Sequence, residues 1–530
     1  MHTSIGMHLF IRDKLMAITV YSATPQGIDA DIVEVEVDFS PGLPSTYIVG
    51  LPDPIIRESK ERIRGCFRHV KGIKYPVGKI IINLAPASVH KYGTQFDLAI
   101  AMGILIASKQ KEHGQEKSLY LGELSLDGML RKINSCLAMV VAAKEAGFKR
   151  VFLPVENYHE AQLIKGIEII ALDSLCDLLS AEINNLNLNK QDINPTADSK
   201  NHNSQNCTDF AEIIGQSFAK RGLEIAAAGG HNISMLGSPG SGKTMLASAL
   251  PSILPILDEK EIIECMKIYS AAGKIDMDFV NDPARPFRSP QPGITSQAFV
   301  GGGIYPKPGE LTLANAGVLF MDEFPEFPRE IIESLRQPLE NGEVSVSRQQ
   351  GSYIFPARFI FIAAQNPCAC GYFGDPMHSC TCSALQVQRY QKKISGPVLD
   401  RIDMHMSVQK LSQGREVSLV YYSQGRKSAN LEESSESVRV RVAAARAIQS
   451  ERNPKGKLNA DLAAKELSNV AKLPAEALSA LAANQRTQML SMRGWLKVVK
   501  IARTIADLEK SRNICTSHVL EALRYKFADG

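Results

Sequence analysis

The sequence predicts a multidomain protein of the α/β class, with two α/β units followed by a helical domain. At 530 residues the chain is longer than one hydrophobic core supports, so we expect two to four domains. Strand-like and helix-like runs alternate over residues 16–180 and again over residues 209–411. From residue 437 to 530, apolar residues recur instead at helical spacing, including Leu496, Val499 and Ile505.

The N-terminal region, residues 16–180, is predicted to form one α/β domain. Strands are expected at Ile32–Val37 and Lys79–Asn83, and helices at Pro54–His69 and Phe96–Ala107. Residues 181–208 are rich in Asn, Asp, Ser and Lys and poor in large apolar side chains, which predicts a flexible linker. Because the ordered pattern begins just after Met16, that residue could equally be the biological start.

The central region contains a glycine-rich loop between a strand-like and a helix-like run. The apolar run Ile233–Leu236 comes before the loop, and Met245–Leu250 follows it. The loop reads Gly237, Ser238, Pro239, Gly240, Ser241, Gly242, Lys243, Thr244. This is the context of a P-loop, because glycines let backbone N–H groups turn onto phosphate oxygens beside a helix N-terminus. Lys243 is expected to reach the terminal phosphates of ATP, and Thr244 to hold Mg²⁺.

Polar residues also follow two further predicted strands. The apolar run Val318–Met321 ends at Asp322 and Glu323, the pattern of a Walker B strand. We expect Asp322 to bind Mg²⁺ through water and Glu323 to polarise the attacking water; the alternative is a solvated acidic pair. The strand-like run Arg358–Ala364 ends near Asn366, which suits a sensor of the γ-phosphate.

Three other features each allow two interpretations. Residues 344–355 alternate around a glycine-containing turn, which predicts a β-hairpin, either a pore element of a ring motor or a structural hairpin. Arg401 is either an arginine finger acting on a neighbouring subunit's nucleotide or a surface residue paired with Asp400 or Asp403. Arg493 is a candidate second sensor of the phosphate, or an ordinary helix residue.

Four of the ten cysteines are clustered, and the other six are expected to be core residues or bystanders. The clustered residues are Cys368, Cys370, Cys380 and Cys382. Two close pairs of thiolates can surround one tetrahedral Zn²⁺, although pairs separated by a single residue are less typical than wider ones. The alternatives are therefore a structural zinc knuckle and a loop of reduced thiols next to Asn366.

Positive charge is concentrated at the C-terminal end of the chain. The net charge is only +4, but Glu436–Gly530 holds 17 Lys and Arg against 9 Asp and Glu. This is either a solvated basic face or a contact with a phosphate backbone, with Lys497, Lys500 and Arg503 as candidates. Aromatic residues make up 6% of the chain, which argues against an extended stacking platform for single strands.

The N-terminal residues and the hydropathy bear on localisation. No apolar run approaches the roughly 18–20 residues that a membrane span needs. Charged residues 12–14 interrupt the segment where a signal peptide would have its apolar core. We therefore expect a cytoplasmic protein with no membrane partner.

Taken in order, these motifs resemble the magnesium-chelatase-like AAA+ ATPases, and within that group the ComM/YifB competence-protein family. The residues that carry the resemblance are 237–244, 317–323, 335–340 (Leu-Arg-Gln-Pro-Leu-Glu), 366–368 and 399–401, together with 40–44, 48–53, 83–87 and 502–508. The resemblance implies an N-terminal domain of the Lon-protease-like (ribosomal S5 domain 2-like) fold. It further implies a central AAA+ P-loop module with a helix-2 insert and a C-terminal helical lid. It also implies a homohexameric ATPase that moves on branched or duplex DNA and promotes branch migration during natural transformation.

The chain departs from the family pattern at two places. The family commonly has Pro-His-His where this sequence has Pro290, Gln291 and Pro292. The family also favours His before the Walker B strand, at the position of Asn315. These changes spare the nucleotide residues, but they put in doubt the role of the insert, including its contact with substrate.

Other functions compete with a DNA motor. Gly122–Gly128 resembles part of the Lon protease domain, but the corresponding active-site stretch, Tyr92–Asp97, has no serine, and the lysine position falls near Leu137. We therefore expect a binding or assembly platform without protease activity. The remaining alternatives are a motor subunit of a metal chelatase, expected to lack this N-terminal segment, and a protein remodeller.

Overall fold

The computed structural model describes residues 17–112, 114, 116–184, 208–275, 277–348, 351–410, 432–479, 481 and 491–526. These residues form two compact units. Unit 1 contains the described parts of Met1–Thr196 together with Tyr269–Val280, and unit 2 contains those of Ala197–Ile268 and Asn281–Gly530. Both units combine sheets with helices, so the chain is a multidomain α/β protein. Within the described residues, no helix is both long and apolar enough to cross a bilayer.

Unit 1 is built on a mixed seven-stranded sheet. Its strands are β1 (Ile18–Gln26), β2 (Asp29–Ser40), β3 (Ser45–Val49), β4 (Lys79–Ala85), β5 (Ser118–Tyr120), β6 (Glu123–Leu124), β7 (Leu130–Arg131), β8 (Arg150–Pro154) and β9 (Glu168–Leu172), and its helices are α1 (Pro54–His69), α2 (Asp97–Ala107), α3 (Cys136–Glu145), α4 (Tyr158–Ala161) and α5 (Leu175–Asn184). The sheet order is β3-β4-β2-β1-β5-β8-β9, and β6 pairs separately with β7. β1 is antiparallel to β2 and parallel to β5.

The first helix shows how the sequence determines local structure in this unit. Asp53 caps α1, because its carboxylate accepts a hydrogen bond from the Ile56 N–H at 2.7 Å. Pro54 is the first residue of the helix, a position whose backbone N–H would have no partner within the helix, so the missing N–H of proline costs nothing there. Ile56, Ile63 and Phe67 are buried along one face. The predicted range of α1 is confirmed. Helix α5 continues to Asn184, past the linker start expected at residue 181; residues 185–207 lie outside the described part of the chain.

Unit 2 is built on a five-stranded sheet with helices around it. Its strands are β10 (Ile233–Leu236), β11 (Phe287–Arg288), β12 (Gly301–Gly302), β13 (Lys307–Pro308), β14 (Val318–Met321), β15 (Glu343–Arg348), β16 (Gly351–Pro356), β17 (Ile360–Gln365) and β18 (Met404–Ser407). The helices that follow α5 in the chain are α6 (Ser217–Gly229), α7 (Lys243–Ile253), α8 (Glu259–Ala272), α9 (Met277–Asn281), α10 (Ser296–Val300), α11 (Glu310–Leu313), α12 (Arg329–Ser334), α13 (Arg336–Asn341), α14 (Ala384–Gln391), α15 (Gly396–Leu399), α16 (Ser435–Arg452), α17 (Ala464–Val470), α18 (Met492–Leu508) and α19 (Thr516–Arg524). The last four residues of α8, from Tyr269, and α9 up to Val280 belong to unit 1.

The main sheet of unit 2 is parallel throughout, with the order β11-β14-β17-β10-β18. Met321 of β14 lies opposite Ala363 of β17, and Leu236 of β10 lies opposite Gln365. Because neighbouring parallel strands end at the same edge of a sheet, the loops that follow these three strands meet there. The predicted strands at Ile233–Leu236 and Val318–Met321 are confirmed.

The predicted hairpin is confirmed as well. β15 and β16 are antiparallel, with Val344 opposite Phe355 and Arg348 opposite Gly351. Val344, Val346 and Phe355 are buried, while Ile354 is exposed. The hairpin therefore has one packed face and one face open to solvent.

The C-terminal helices share one apolar core with the sheet. α16, α18 and α19 contribute to the same buried cluster as β10, β17 and β18. A polar network crosses this core: Asp507 of α18 forms ion pairs with Arg452 of α16 and with Arg503, and it accepts a hydrogen bond from Asn459 at 2.8 Å. His231, just before β10, contacts Thr504 Oγ1 at 2.9 Å. Apolar packing and buried polar contacts thus join the helices to the sheet.

Candidate nucleotide-binding site

The P-loop connects β10 to the first turn of α7, at the edge of the sheet where the parallel strands end. Gly240 and Gly242 have φ values of 76° and 92°, in the left-handed region where a side chain would add strain. Lys243 and Thr244 then open α7, as the sequence predicts. Ser241 is buried, and its hydroxyl has no hydrogen-bond partner among the described residues. The loop therefore presents backbone and side-chain donors at a helix N-terminus.

The Lys243 side chain is buried at the centre of this loop. Its ammonium donates to the carbonyl oxygens of Gly237 at 2.6 Å and Ser238 at 3.1 Å, and to Asn366 Oδ1 at 3.3 Å. Burial lowers the pKa of Lys243, and the nearby Asp322 carboxylate opposes that shift. The structure thus brings Asn366, which follows β17, next to the P-loop lysine.

Thr244 and Asp322 are also brought together. Thr244 Oγ1 donates to Asp322 Oδ2 at 2.9 Å, so the hydroxyl and carboxylate oxygens predicted to hold Mg²⁺ lie side by side. The neighbouring Glu323 has φ 50°, and its backbone N–H donates to Asp322 Oδ1 at 2.8 Å. Glu323 follows the end of β14 by two residues, and its side chain is exposed beside the site.

Arg401 and Arg493 both lie near Glu340. Arg401 donates to the Pro397 carbonyl at 2.7 Å and forms a short ion pair with Glu340, rather than pairing with Asp400 or Asp403 as the surface interpretation expected. The hydrogen bond from Arg401 holds the pKa of Glu340 below its ordinary value, and Arg493 lowers it further. The two arginines therefore share one acidic neighbour, and no contact joins either of them to the P-loop within the described residues.

Glu340 is a partner that sequence reasoning missed. It ends the Leu-Arg-Gln-Pro-Leu-Glu segment, but it is separated from Arg401 by 61 positions, and nothing in the sequence links the two. Lys497, which the sequence suggested as a contact with a phosphate backbone, lies in the same region. Its ammonium donates to the carbonyls of Asp400 and Ile402, which flank Arg401 in the chain, so it fixes the turn that carries Arg401.

The candidate DNA contacts in α18 are therefore wrong for the side chains named. Lys497 and Lys500 donate to backbone carbonyls, the latter to Ala460 at 2.7 Å, and Arg503 is buried in its ion pair with Asp507. Each of these cations is used inside unit 2, because a buried charge requires partners. Helical spacing in the sequence predicted which side of α18 is apolar, but it could not show which of its cations are turned into unit 2.

The two departures from the family pattern have different surroundings. Asn315 is buried; its amide donates to Glu264 at 2.8 Å and accepts from the Arg358 N–H at 2.9 Å. Asn315 thus connects α8 to the start of β17, which is a structural task. Gln291 is exposed, and Pro292 is half-buried.

The four clustered cysteines converge in the loop after Asn366. The Sγ atoms of Cys368, Cys370, Cys380 and Cys382 all lie within 4.8 Å of one another. His378 is exposed and contacts Asp375 instead. The donor set is therefore four sulfurs, which is one of the sets that bind a tetrahedral structural Zn²⁺.

The comparisons with known proteins agree with this arrangement. Three family models match in sequence order: "Subunit ChlI of Mg-chelatase" over residues 35–157, "Magnesium chelatase, subunit ChlI" over 209–416, and "Magnesium chelatase, subunit ChlI C-terminal" over 432–526. The competence protein ComM of Haemophilus influenzae is 39% identical over 514 residues, which cover 96% of this chain and 97% of ComM. The chain belongs to the ComM/YifB family of magnesium-chelatase-like proteins. Its YifB relative in Escherichia coli is 37% identical, with 96% of this chain and 97% of YifB covered.

The relation to chelatase subunits is more distant. The magnesium-chelatase 38 kDa subunit of Cereibacter sphaeroides is 27% identical over 177 residues, which are 30% of this ComM/YifB family member and 52% of that subunit. Chelatase motor subunits were expected to lack the N-terminal segment, but the family model over residues 35–157 is itself described as a subunit of Mg-chelatase. The presence of this segment therefore does not by itself distinguish a DNA motor from a chelatase motor. The family membership implies ATPase activity with Mg²⁺.

Proposed function

We propose that this chain is the ATP-hydrolysing subunit of a homohexameric DNA motor that acts in natural transformation or recombination. The observation that carries the proposal is the meeting of three strand ends in one site. The Lys243 ammonium lies 3.3 Å from Asn366 Oδ1, and Thr244 Oγ1 lies 2.9 Å from Asp322 Oδ2. This combination of a phosphate-binding cation, metal-binding oxygens and a polar sensor suits hydrolysis of a nucleoside triphosphate.

Each residue then has a distinct task. The backbone of the P-loop and Lys243 bind the phosphates, and Thr244 and Asp322 hold Mg²⁺, which neutralises phosphate charge when it is bound. Glu323 orients and polarises the attacking water, since its carboxylate is exposed beside Asp322. Asn366 senses the γ-phosphate through the contact it already makes with Lys243.

Arg401 supports the assignment of a ring. Its described side-chain contacts are with Glu340 and Pro397, and none of them is with the P-loop of its own chain. An arginine in that position serves hydrolysis on an adjacent copy, where it stabilises transition-state charge. Arg493 shares the acidic neighbour Glu340, so we assign it to the same subunit boundary as a second sensor.

DNA is the proposed substrate for two reasons: the relatives of this chain, and the exposed cations of the C-terminal region. ComM is described as a competence protein, and it matches this chain nearly end to end. Exposed basic residues in this region include Lys465 on α17, and Lys472 and Arg512 in the loops between helices. Contacts from such residues go to phosphates and are independent of base sequence, so binding is expected to weaken as salt increases. The proposed activity is branch migration on branched or duplex DNA.

The flanking regions complete the proposal. Unit 1 is assigned a Lon-protease-like fold that serves as an assembly platform. Residues 92–97 offer no serine nucleophile, and Leu137 is an apolar buried residue. The helices after residue 437 are assigned as the AAA+ lid, and the segment before β14 as the helix-2 insert. The proposed location is the cytoplasm.

A chelatase motor is the second candidate, because the matched chelatase subunits contain the same type of central region. The decisive experiment compares ATP hydrolysis by the full chain with no DNA, with duplex, with branched and with single-stranded DNA, at two salt concentrations. Strong stimulation by branched or duplex DNA that declines with salt is expected. An ATPase indifferent to all three DNAs would refute the DNA motor; the Lys243→Ala variant reports any contaminating ATPase.

A further inference from the structure

The four-cysteine loop has the dimensions of a zinc site. The Sγ of Cys368 lies 3.3 Å from that of Cys370 and 3.7 Å from that of Cys380, and the Cys370–Cys380 separation is 3.6 Å. Sulfurs bonded to each other would be about 2.05 Å apart, so these are not disulfides. Four sulfurs at ~2.3 Å from a central Zn²⁺ have tetrahedral edges of about 3.8 Å. The observed separations are close to that edge length.

Backbone amides point at these sulfurs. The Phe373 N–H donates to Cys368 Sγ at 3.3 Å, and the amides of Tyr372 and Thr381 donate to Cys370. Such N–H groups stabilise negative charge on sulfur, as the ligands of a metal need. Gly371 and Gly374 have φ values of 87° and 78°, which lets the chain turn sharply between the ligand pairs. Four thiolates leave no open coordination position, so the site is structural.

The same loop touches the nucleotide site. A Cβ added to Gly371 would lie 2.7 Å from both Cγ and Cδ of Pro239, so the loop backbone packs directly on the P-loop. The Asp375 carboxylate accepts a hydrogen bond from the Ser238 side chain, and Lys410 Nζ lies 3.6 Å from it. Asn366, which contacts Lys243, precedes the first cysteine by two residues.

We propose that Cys368, Cys370, Cys380 and Cys382 bind one structural Zn²⁺, and that the resulting zinc knuckle (residues 368–382) holds the P-loop in its nucleotide-binding conformation. The zinc cross-links a short loop whose exposed residues include Phe373, Met377 and His378, and which has little apolar core of its own. Without the metal, the contacts of Gly371 and Asp375 with the P-loop are no longer fixed. This coupling rests on the proposed nucleotide site, whereas the metal site stands on its own geometry.

The test begins with the purified full-length chain and zinc itself. Elemental analysis is expected to give one zinc per chain. A mercurial that titrates the thiols should release this zinc into a colorimetric indicator and weaken binding of a fluorescent ATP analogue at least tenfold. Excess dithiol followed by ZnCl₂ should restore both. Zinc near zero per chain with all thiols reduced overturns the metal site.

Variants distinguish the zinc site itself from its proposed effect on nucleotide binding by the P-loop. Replacing Cys380 and Cys382 with Ser is expected to remove zinc and weaken nucleotide binding at least tenfold, while Cys176→Ser, an exposed cysteine of unit 1, should change neither. Asp375→Ala keeps all four ligands but removes the acceptor of the Ser238 hydrogen bond, so it should retain zinc and still weaken nucleotide binding. Loss of zinc with unchanged nucleotide affinity overturns the coupling.

The outcomes are also distinguishable from failure of the proposed function. Zinc content and nucleotide affinity are both measured without DNA, so an ATPase that ignores DNA leaves this result unaffected. Lys243→Ala should lose nucleotide binding and keep its zinc. A wild-type chain that holds zinc yet binds no nucleotide refutes the nucleotide site and the coupling together, and leaves the metal site confirmed.

Discussion

Replacing Glu323 with Gln tests the assignment of the water-activating residue. Asp322, not Glu323, makes the 2.9 Å contact with Thr244, and Glu323, two residues after β14, is exposed. The amide is nearly isosteric but does not accept a proton. We therefore expect nucleotide and Mg²⁺ binding to persist while hydrolysis stops.

The size of the effect follows from the chemistry assigned to this carboxylate. A positioned general base contributes about 100- to 10,000-fold, or roughly 3–5 kcal/mol of activation free energy. Affinity for ATP should change by no more than about twofold, because an interaction made only in the transition state does not contribute to ground-state binding. The loss should therefore fall almost wholly on kcat.

The assay is steady-state phosphate release together with titration of a fluorescent ATP analogue. Glu326→Gln is the matched control, since it makes the same chemical change at an exposed glutamate three residues away, which pairs with Lys393. That control should hydrolyse ATP at close to the wild-type rate. A Glu323→Gln chain that turns over ATP at the wild-type rate would show that the base lies elsewhere.

Four further changes test other parts of the structure. Lys243→Ala should abolish measurable binding of the ATP analogue, because it removes the buried ammonium of the P-loop. Arg401→Ala should inactivate hydrolysis yet be rescued in mixed rings with Lys243→Ala chains, whose intact Arg401 serves the neighbouring P-loop; absence of rescue argues against action between subunits. Asn315→Leu should lower the free energy of unfolding by about 1–3 kcal/mol, measured by denaturant titration, because the buried Asn315 side chain no longer accepts from the Arg358 N–H or donates to Glu264. Burial lowers the pKa of Lys497 to about 8, so between pH 8 and 10.5 the unfolded chain binds more protons than the folded chain, and the stability contributed by this site rises with pH. The melting temperature of the wild type relative to that of Lys497→Met should therefore rise between pH 7.5 and 10. A difference that stays constant over this range contradicts the lowered pKa.

Local signals predicted the strands that position the candidate nucleotide residues, because those residues follow apolar strands directly. The strands before Gly237 and Asp322 have the predicted bounds, and the rule that parallel strands end together places Asn366 beside Lys243. Each of these expectations depended on the order of elements along the chain, which the sequence displays directly.

Contacts between distant segments were beyond the sequence. Neither the pairing of Arg401 with Glu340 nor the packing of Gly371 on the P-loop has a local pattern, since each depends on how loops after different elements meet. The charge count of the C-terminal region was correct, but it suggested surface contacts for Lys497 and Arg503, which the structure uses internally. Composition gives the number of charges, and only packing decides which of them face solvent.

The buried ion pairs around Asp507 have a consequence for how a ring built from this chain would generate force. Separating α18 from α16 would strip the buried Asp507 carboxylate of its Arg452 partner, at a cost of about 3–5 kcal/mol. A hinge between α16 and α18 would therefore use a large share of the free energy released when one ATP is hydrolysed. In the proposed ring, rigid-body rotation at the boundaries between copies would avoid this loss, so we expect the movement at those boundaries rather than between α16 and α18.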